Sequence, residues 1–123
     1  MINNVLSASS SENIKNKSLS IILPTFNESG SIHQMVSSLL ELTDQYQVEI
    51  LVVDDDSRDG TASIVRNLAR QDSRIRLIQR VGRSGLASAI KEGLIAALYS
   101  TAVVMDSDGQ HVGGRLVYGH SQM

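Results

Sequence analysis

The chain has 123 residues, about the length of one domain and too short for two complete ones. Its 11 Lys and Arg residues against 13 Asp and Glu residues give a formal charge of -2, so no global attraction to nucleic acid or anionic lipid is expected. It contains no cysteine, which excludes disulfides, thiolate catalysis and cysteine-based zinc sites and fits a reducing, cytoplasmic compartment.

Residues 1–18 are mostly polar, and we interpret them as a disordered leader. Their apolar residues form no run longer than two. A signal peptide needs an apolar core of about 7 to 15 residues, and a membrane-spanning helix needs about 20. The sequence therefore predicts neither a signal peptide nor a transmembrane helix.

From residue 19 onward, short apolar runs alternate with amphipathic segments. The apolar runs predict strands that end near residues 24, 54, 80 and 106. Apolar residues at helical spacing predict three helices between them, in residues 31–45, 64–69 and 86–98. Pro24 closes the first strand, because proline cannot donate to a central ladder. The βαβαβαβ order predicts an α/β fold with a Rossmann-like parallel sheet and crossover helices.

Polar clusters follow three of these strands. They are Pro-Thr-Phe-Asn-Glu at 24–28, Asp-Asp-Asp-Ser-Arg-Asp-Gly-Thr at 54–61 and Asp-Ser-Asp-Gly-Gln-His at 106–111. In open parallel sheets, ligands bind outside the carboxyl ends of the strands. We therefore expect the three clusters to converge on one binding edge.

The third cluster has the composition of a metal-binding turn. Asp106 and Asp108 are separated by one residue, so both carboxylates can reach one ion, and Gln110 can add a carbonyl oxygen. Mg2+ and Mn2+ prefer such oxygen ligands, and an ion held there would attract a diphosphate that two carboxylates alone would repel. Asp, Ser and Gly are also ordinary residues of a solvated turn, so the residues alone leave both interpretations open.

The second cluster matches the opening positions of a calcium-binding EF-hand loop, but the rest of that loop is absent. Its twelfth position is Arg66, where a bidentate Glu is needed, and the preceding element is an apolar strand. Carboxylates at the end of this strand are better suited to accept hydrogen bonds from a base N–H or a ribose hydroxyl. Asp59, with Gly60 and Thr61, is predicted to start and cap the second helix.

Two further features are weak indicators of function. The Gly-Arg-Ser-Gly turn at 82–85 could bring backbone N–H groups near a phosphate, but it is neither a P-loop nor the dinucleotide fingerprint. The absence of that fingerprint after the first strand disfavours a dehydrogenase. His33 falls on the polar side of the first helix and is predicted to be exposed rather than a ligand.

Taken together, these motifs resemble the family-2 glycosyltransferases in identity and order. The resemblance spans residues 19–111 and rests on the three clusters, on Met105 before the last of them, and on Gly85-Leu86-Ala87, Ala89 and Gly93. Gln110-His111 looks most like the branch that makes dolichol- or polyprenol-phosphate mannose and glucose. The resemblance implies the nucleotide-binding half of a GT-A fold, with the acceptor handled by a later half.

The resemblance also implies a set of site residues. Those that would bind the nucleotide sugar are Pro24, Phe26, Glu28, Val53, Asp55, Asp106, Ser107 and Asp108. Asp106 and Asp108 would hold Mg2+ or Mn2+, with Gln110 as the family's third ligand. Two positions depart from the family pattern, because Asp56 stands where Gly is usual and Gly109 where Leu is usual. The pattern identifies no catalytic residue in this chain.

The implied function is transfer of a hexose from a GDP- or UDP-linked donor to an acceptor, with a polyprenyl or dolichyl phosphate at the cytoplasmic face of a membrane as the expected acceptor. Residues 112–123 show neither strand alternation nor a helical face, and we interpret them as an irregular tail that follows a broken reading frame. Two alternatives remain open: a truncated, non-catalytic nucleotide-binding remnant and an unrelated α/β interaction domain. An incomplete sheet would expose apolar surface, which predicts self-association.

Overall fold

The computed structural model describes residues 17–105 and the strand at 116–119. The strands are β1 (Ser18–Thr25), β2 (Gln47–Asp54), β3 (Ile75–Gln79), β4 (Thr101–Val104) and β5 (Leu116–Gly119). The helices are α1 (Ile32–Leu42), α2 (Thr61–Gln71) and α3 (Leu86–Ala96). The strands form one sheet in the order β3-β2-β1-β4-β5, and β1 to β4 pair in parallel. The predicted parallel α/β fold and its βαβαβαβ order are confirmed.

Helices cover both faces of the sheet. Ile21, Leu23, Ile50 and Val52 are buried beneath α1 and α2 on one face, whereas Ile22, Leu51, Val53 and Val104 are buried beneath α3 on the other. Successive side chains of a strand point to opposite faces, so a strand covered on both sides needs apolar residues at every position. This requirement explains the uninterrupted Ile-Leu-Val-Val run at 50–53 in β2.

The approach of α3 to the sheet depends on a glycine. A Cβ atom added at Gly93 would lie 2.5 Å from Ile22 Cγ2 and 3.1 Å from Val53 Cγ2. Ala89, one turn earlier, is buried in the same contact. Small residues at these two positions let the helix backbone pack directly on the branched side chains of β1 and β2.

The first strand is longer than predicted. It begins at Ser18, which the sequence assigns to the leader, and continues through Pro24 to Thr25. Pro24 is tolerated because the last β1–β4 pair is Ile22 with Val104, so the missing proline N–H falls beyond the end of that ladder. On the other side, β1 remains paired with β2 as far as Thr25 and Asp54.

The interpretation of residues 112–123 as irregular is wrong for part of the segment. Leu116–Gly119 forms β5, which pairs antiparallel with β4 at the sheet edge. Four residues are too few to show a convincing alternation, and the strand is defined by the hydrogen-bonding edge that β4 offers. Residues 1–16 of the predicted leader and 106–111 of the acidic turn lie outside the described residues.

The three helices have 11 residues each, and within the described part of the chain none has the length and apolarity to cross a membrane. Helix α1 presents His33 and Gln34 on its exposed side and Val36 and Leu39 on its buried side. The predicted exposed position of His33 is confirmed.

Gly93→Ala should destabilise the protein, although alanine is favoured over glycine within helices by about 1 kcal/mol. The added methyl group would clash with Ile22 Cγ2 at 2.5 Å, and such overpacking lowers the free energy of unfolding by about 1–3 kcal/mol. Urea denaturation of both proteins measures the change. Gly30→Ala is the control, because a Cβ there would meet nothing within 4 Å. Equal effects at the two glycines would contradict the proposed close approach of α3.

Candidate functional site

The sheet reverses its direction of growth next to β1. The chain adds β2 and β3 on one side of β1 and then crosses to add β4 on the other. Such a switch point leaves a crevice outside the carboxyl ends of the two flanking strands, where open α/β sheets bind their ligands. Met105 N–H donates to Ile22 O at 3.0 Å, so the chain leaves β4 beside β1 and enters the acidic turn from this edge.

A buried carboxylate aligns the ends of β1 and β2. Asp54 is completely buried, and its Oδ1 accepts hydrogen bonds from Thr25 Oγ1 at 2.8 Å and from Ser57 Oγ at 2.6 Å. Its Oδ2 accepts from Ser57 N–H at 2.9 Å. All of these partners are protein groups, so Asp54 acts as an anchor for the loop that follows β2.

The loops after β1 and β2 are hydrogen-bonded to each other. Asn27 N–H donates to Ser57 Oγ at 2.7 Å, and Asn27 Oδ1 accepts from Arg58 N–H at 2.9 Å. Farther along, Glu28 N–H donates to Thr61 Oγ1 at 2.9 Å. The predicted convergence of the first two polar clusters is therefore confirmed.

Asp59 supports the start of α2, as the sequence predicts, but it is not the cap residue, because it lies one position before the N-cap. The N-cap of α2 is Gly60, with φ of 94°. Asp59 Oδ1 accepts hydrogen bonds from Thr61 Oγ1 and from Thr61 N–H, and its Oδ2 accepts from Ser29 N–H at 3.0 Å. The Thr61 hydroxyl, followed by the Ser29 N–H, lowers the pKa of Asp59 from 3.8 to about 2.

Asp56 occupies a position that suits glycine. Its φ is 65°, in the left-handed region that L-residues other than Asn and Asp seldom adopt. The departure from the family's usual glycine therefore preserves the backbone conformation and adds one negative charge to the edge.

Asp55 directly follows the buried Asp54 and is partly exposed, whereas Asp59 of the same cluster is exposed and bonded to Ser29 and Thr61. The side chain of Asp55 is 14% exposed, and the Asp55 backbone N–H donates to Thr25 O at 2.9 Å. Asp55 Oδ2 accepts a hydrogen bond from Gly85 N–H at 2.8 Å, and Oδ1 lies 3.3 Å from Arg80 Nη1. Gly85 N–H, which the sequence offered as a phosphate donor, is thus bonded to Asp55.

Arg80 is a site residue that the sequence analysis missed. It follows β3, its side chain is only 1% exposed, and its backbone N–H donates to Asp54 O at 2.8 Å. A usable signal was its position, because β3 ends at the same edge as the three polar clusters. The sequence gives no indication that this charged side chain is buried.

The remaining predicted nucleotide-binding residues occupy different environments. Phe26 is 58% exposed and offers an aromatic face at the edge, whereas Pro24 and Glu28 are half-buried. The side chain of Val53 is completely buried beneath α3, so the structure does not bring it to the edge. Four predicted residues lie outside the described part of the chain: Asp106, Ser107, Asp108 and Gln110. Among the described residues, no group of three His, Cys, Asp or Glu side chains could hold a metal ion.

The comparison with protein families agrees with this architecture. The family described as glycosyl transferase family 2 matches residues 20–117. The chain therefore belongs to glycosyltransferase family 2. A similar curated protein is the polyprenol monophosphomannose synthase of Mycolicibacterium smegmatis, which is 38% identical over 95 residues, or 74% of this chain and 35% of the relative.

Solved structures of the GT-A type share the fold. A mannosyltransferase from Pyrobaculum calidifontis, in complex with GDP-Man and Mn2+, superposes with a TM-score of 0.64 at 32% identity, covering 73% of this chain and 27% of that one. Staphylococcus aureus TarS, residues 1–349 with UDP-GlcNAc, gives a TM-score of 0.63 at 29% identity, covering 74% and 26%. The chain thus spans about a quarter to a third of the length of these proteins.

Protonation of Asp59 should make the free energy of unfolding depend on pH below about pH 4. Its pKa of about 2 lies below the ordinary 3.8, so the unfolded chain binds more protons between these values. The stabilisation is complete above about pH 4 and is lost as the pH falls towards 2. Urea denaturation of wild type and Asp59→Asn across this range should show the difference between them shrink with acidity. Glu41→Gln removes an exposed carboxylate of α1 as a control, and an equal pH dependence there would refute the assignment.

Proposed function

We propose that this chain forms the donor-binding part of a glycosyltransferase, which binds a nucleoside diphosphate sugar with a divalent metal ion and transfers the hexose to a polyprenyl or dolichyl phosphate. The observation that carries the proposal is the edge at the switch point. There, the partly exposed Asp55 at the end of β2 contacts Gly85 N–H and Arg80, and β1 separates β2 from β4, the strand that leads into Asp106 and Asp108.

The base and ribose are assigned to the β1 and β2 side of the edge. Asp55 is a hydrogen-bond acceptor that suits a ring N–H of uracil or guanine, or a ribose hydroxyl. Phe26, 58% exposed, offers apolar area beside it, and the half-buried Pro24 and Glu28 complete this side. Both bases stay possible, since the similar structures hold GDP-Man in one case and UDP-GlcNAc in the other.

The diphosphate and the metal ion are assigned to the β4 side. Asp106 and Asp108, with Gln110, provide the hard oxygen ligands that suit Mg2+ or Mn2+, and Met105 directs the chain towards them from beside β1. Bound there, the ion would neutralise negative charge that develops on the leaving nucleoside diphosphate. Ser107, between the two carboxylates, is assigned to the same donor site.

A polyprenyl phosphate is the acceptor that requires the fewest catalytic groups from this chain. Phosphate monoesters have a second pKa of about 6, so the attacking oxygen is largely anionic at neutral pH and needs no strong general base. That oxygen would bond to the anomeric carbon as the bond from this carbon to the nucleoside diphosphate breaks. The relative from Mycolicibacterium is named as a polyprenol monophosphomannose synthase. This acceptor places the proposed reaction at a membrane surface, and its cytoplasmic face stays a prediction.

A second candidate is a nucleotide-binding remnant without transferase activity. It shares the proposed nucleotide site and differs from the first candidate in transferring no sugar. Self-association also stays a prediction, which the exposed apolar side chains Leu86 and Ile95 of α3 support. An unrelated interaction domain, the third alternative, is excluded by the family assignment.

Binding of GDP-mannose or UDP-N-acetylglucosamine in the presence of Mn2+ should be detectable by calorimetry. Asp106→Asn and Asp108→Asn keep the side-chain shape but remove a metal-binding charge, and each should weaken binding about tenfold or more, equivalent to about 1.4 kcal/mol. Asp59→Asn is the control, because that residue bonds to Ser29 and Thr61. Equal small effects at all three positions would mean that the acidic turn is only a solvated turn.

A sugar-transfer assay distinguishes the proposed transferase from the non-catalytic remnant. With a labelled GDP- or UDP-hexose, Mn2+ and a short polyprenyl phosphate, the chain should form a lipid-linked sugar, and Asp108→Asn should abolish the product. Thin-layer chromatography of the extracted lipid measures the outcome. Nucleotide binding without any transfer would favour the remnant and overturn the transferase assignment for this chain.

A further inference from the structure

A buried guanidinium lies directly behind the edge. Arg80 is 1% exposed, and the two carboxylates that it meets within 4.0 Å, among the described residues, are Asp55 and Glu92. Asp55 Oδ1 is the nearer, 3.3 Å from Arg80 Nη1. Glu92 Oε2 lies 4.0 Å from Arg80 Nε and is also paired with the exposed Arg83. A charge this deeply buried requires such compensation, because its desolvation is unfavourable. Asp55 therefore provides the nearest compensating charge for the buried Arg80, and Arg80 provides one for Asp55.

The same guanidinium fixes the start of α3. Arg80 Nη1 donates to Gly85 O at 3.2 Å, and Nη2 donates to Ser88 Oγ at 2.6 Å. Gly85 N–H in turn donates to Asp55 Oδ2. Both polar backbone groups of Gly85 are thus held by the Arg80–Asp55 pair, in a conformation with φ of 123° that L-residues rarely adopt.

These contacts leave Asp55 little freedom to rotate. Its Oδ1 is buried 3.3 Å from Arg80 Nη1, an ion pair without a hydrogen bond, and its Oδ2 accepts from Gly85 N–H, so Oδ2 is the oxygen left to accept from a ligand. An acceptor of fixed direction discriminates between bases. Uracil and guanine present a ring N–H beside a carbonyl, whereas cytosine and adenine present an unprotonated ring nitrogen, which a carboxylate repels.

We propose that Arg80 is a positioning residue for nucleotide selectivity: it orients Asp55 so that this carboxylate accepts from a base that carries a ring N–H. The inference rests on the proposed nucleotide site and deepens it. Arg80 itself is too buried to touch the nucleotide, so its influence acts through Asp55 and Gly85.

The experiment compares two pairs of nucleotides that differ in this feature. Calorimetry in the presence of Mn2+ gives the dissociation constants of the full chain for UDP against CDP and for GDP against ADP. Wild type should prefer the partner with the ring N–H in at least one pair. Arg80→Met should reduce that preference about tenfold or more, because the carboxylate can then rotate. The ratio is informative even for a partly unfolded sample, since unfolding weakens both apparent affinities by the same factor.

Arg76→Met is the matched control. Arg76 lies near the start of β3, whereas Arg80 follows its end; Arg76 Nη1 pairs with Glu49 Oε1 at 2.6 Å and donates to Ala96 O at 3.2 Å. Its loss removes an arginine–carboxylate pair without touching the ligand edge. Stability should fall, while the nucleotide preference should stay within about twofold of wild type.

Arg80→Lys keeps the test decisive if Arg80→Met does not fold, as judged by circular dichroism. Lysine retains the charge, but one ammonium cannot hold Asp55, Gly85 and Ser88 with the geometry of a guanidinium, so an intermediate loss of preference is expected. Unchanged preference in a folded Arg80 variant would overturn the inference and leave the proposed function intact. Wild-type binding without any base preference would also overturn it, with the metal and diphosphate site unaffected. Failure of wild type to bind any nucleotide would overturn both proposals.

Discussion

The arrangement of the carboxyl ends of β1, β2 and β3 depends on the buried side chain and the backbone of Asp54. Its two oxygens accept hydrogen bonds from Thr25 at the end of β1 and from Ser57 in the loop after β2, and its backbone carbonyl accepts from Arg80 after β3. One residue therefore sets the relative positions of three strand ends. A carboxylate left without such partners in the interior would be strongly unfavourable, so these bonds are conditions for its burial rather than optional additions. The position of the Asp55 backbone, one residue further on, follows from this arrangement.

Burial of a charge does not by itself mark a ligand site, as the opposite edge of the sheet shows. Glu49 is buried there and accepts hydrogen bonds from Ser20 Oγ at 2.6 Å, from Arg76 Nη1 at 2.6 Å and from Leu98 N–H at 2.7 Å. All three are protein groups, and together they tie the segment after α3 to the amino-terminal ends of the strands. Asp55 differs, because its side chain is partly exposed at the edge where the chain switches direction.

The elements that are strongly periodic could be predicted from the sequence, and those set by tertiary contacts could not. Short apolar runs predicted β1 to β4, and the run is uninterrupted in the centre of β2, because a strand covered on both faces needs apolar residues at every position. Strand β5 was missed because four residues carry too little pattern, and its partner strand supplies the reason for its extended conformation. Pro24 misled the prediction of the end of β1, since the sequence does not show that β4 stops pairing two residues earlier.

The candidate site was predictable by position but not by role. Asp54, Asp55 and Asp56 are chemically identical, yet the first is a buried anchor, the second reaches the edge, and the third adopts a left-handed backbone. Strand alternation separates Asp54 from Asp55 only after the end of β2 is known. Arg80 is harder still, because an arginine at a strand end is normally solvated, and its burial results from α3 packing over it. The family resemblance indicated a nucleotide ligand, whereas the contacts of Asp55 with Arg80 and Gly85 could not be read from the sequence.

The loops at the carboxyl ends of β1 and β2 and the start of α3 are held together by contacts within residues 17–105. The loops after β1 and β2 bond to each other through Asn27 and Ser57, and the start of α3 bonds to Asp55 and Arg80. None of these contacts requires a part of the protein that would bind the acceptor. In the proposed function these contacts order only the side of the site assigned to the base, whereas transfer also needs an acceptor phosphate placed in line with the bond that breaks.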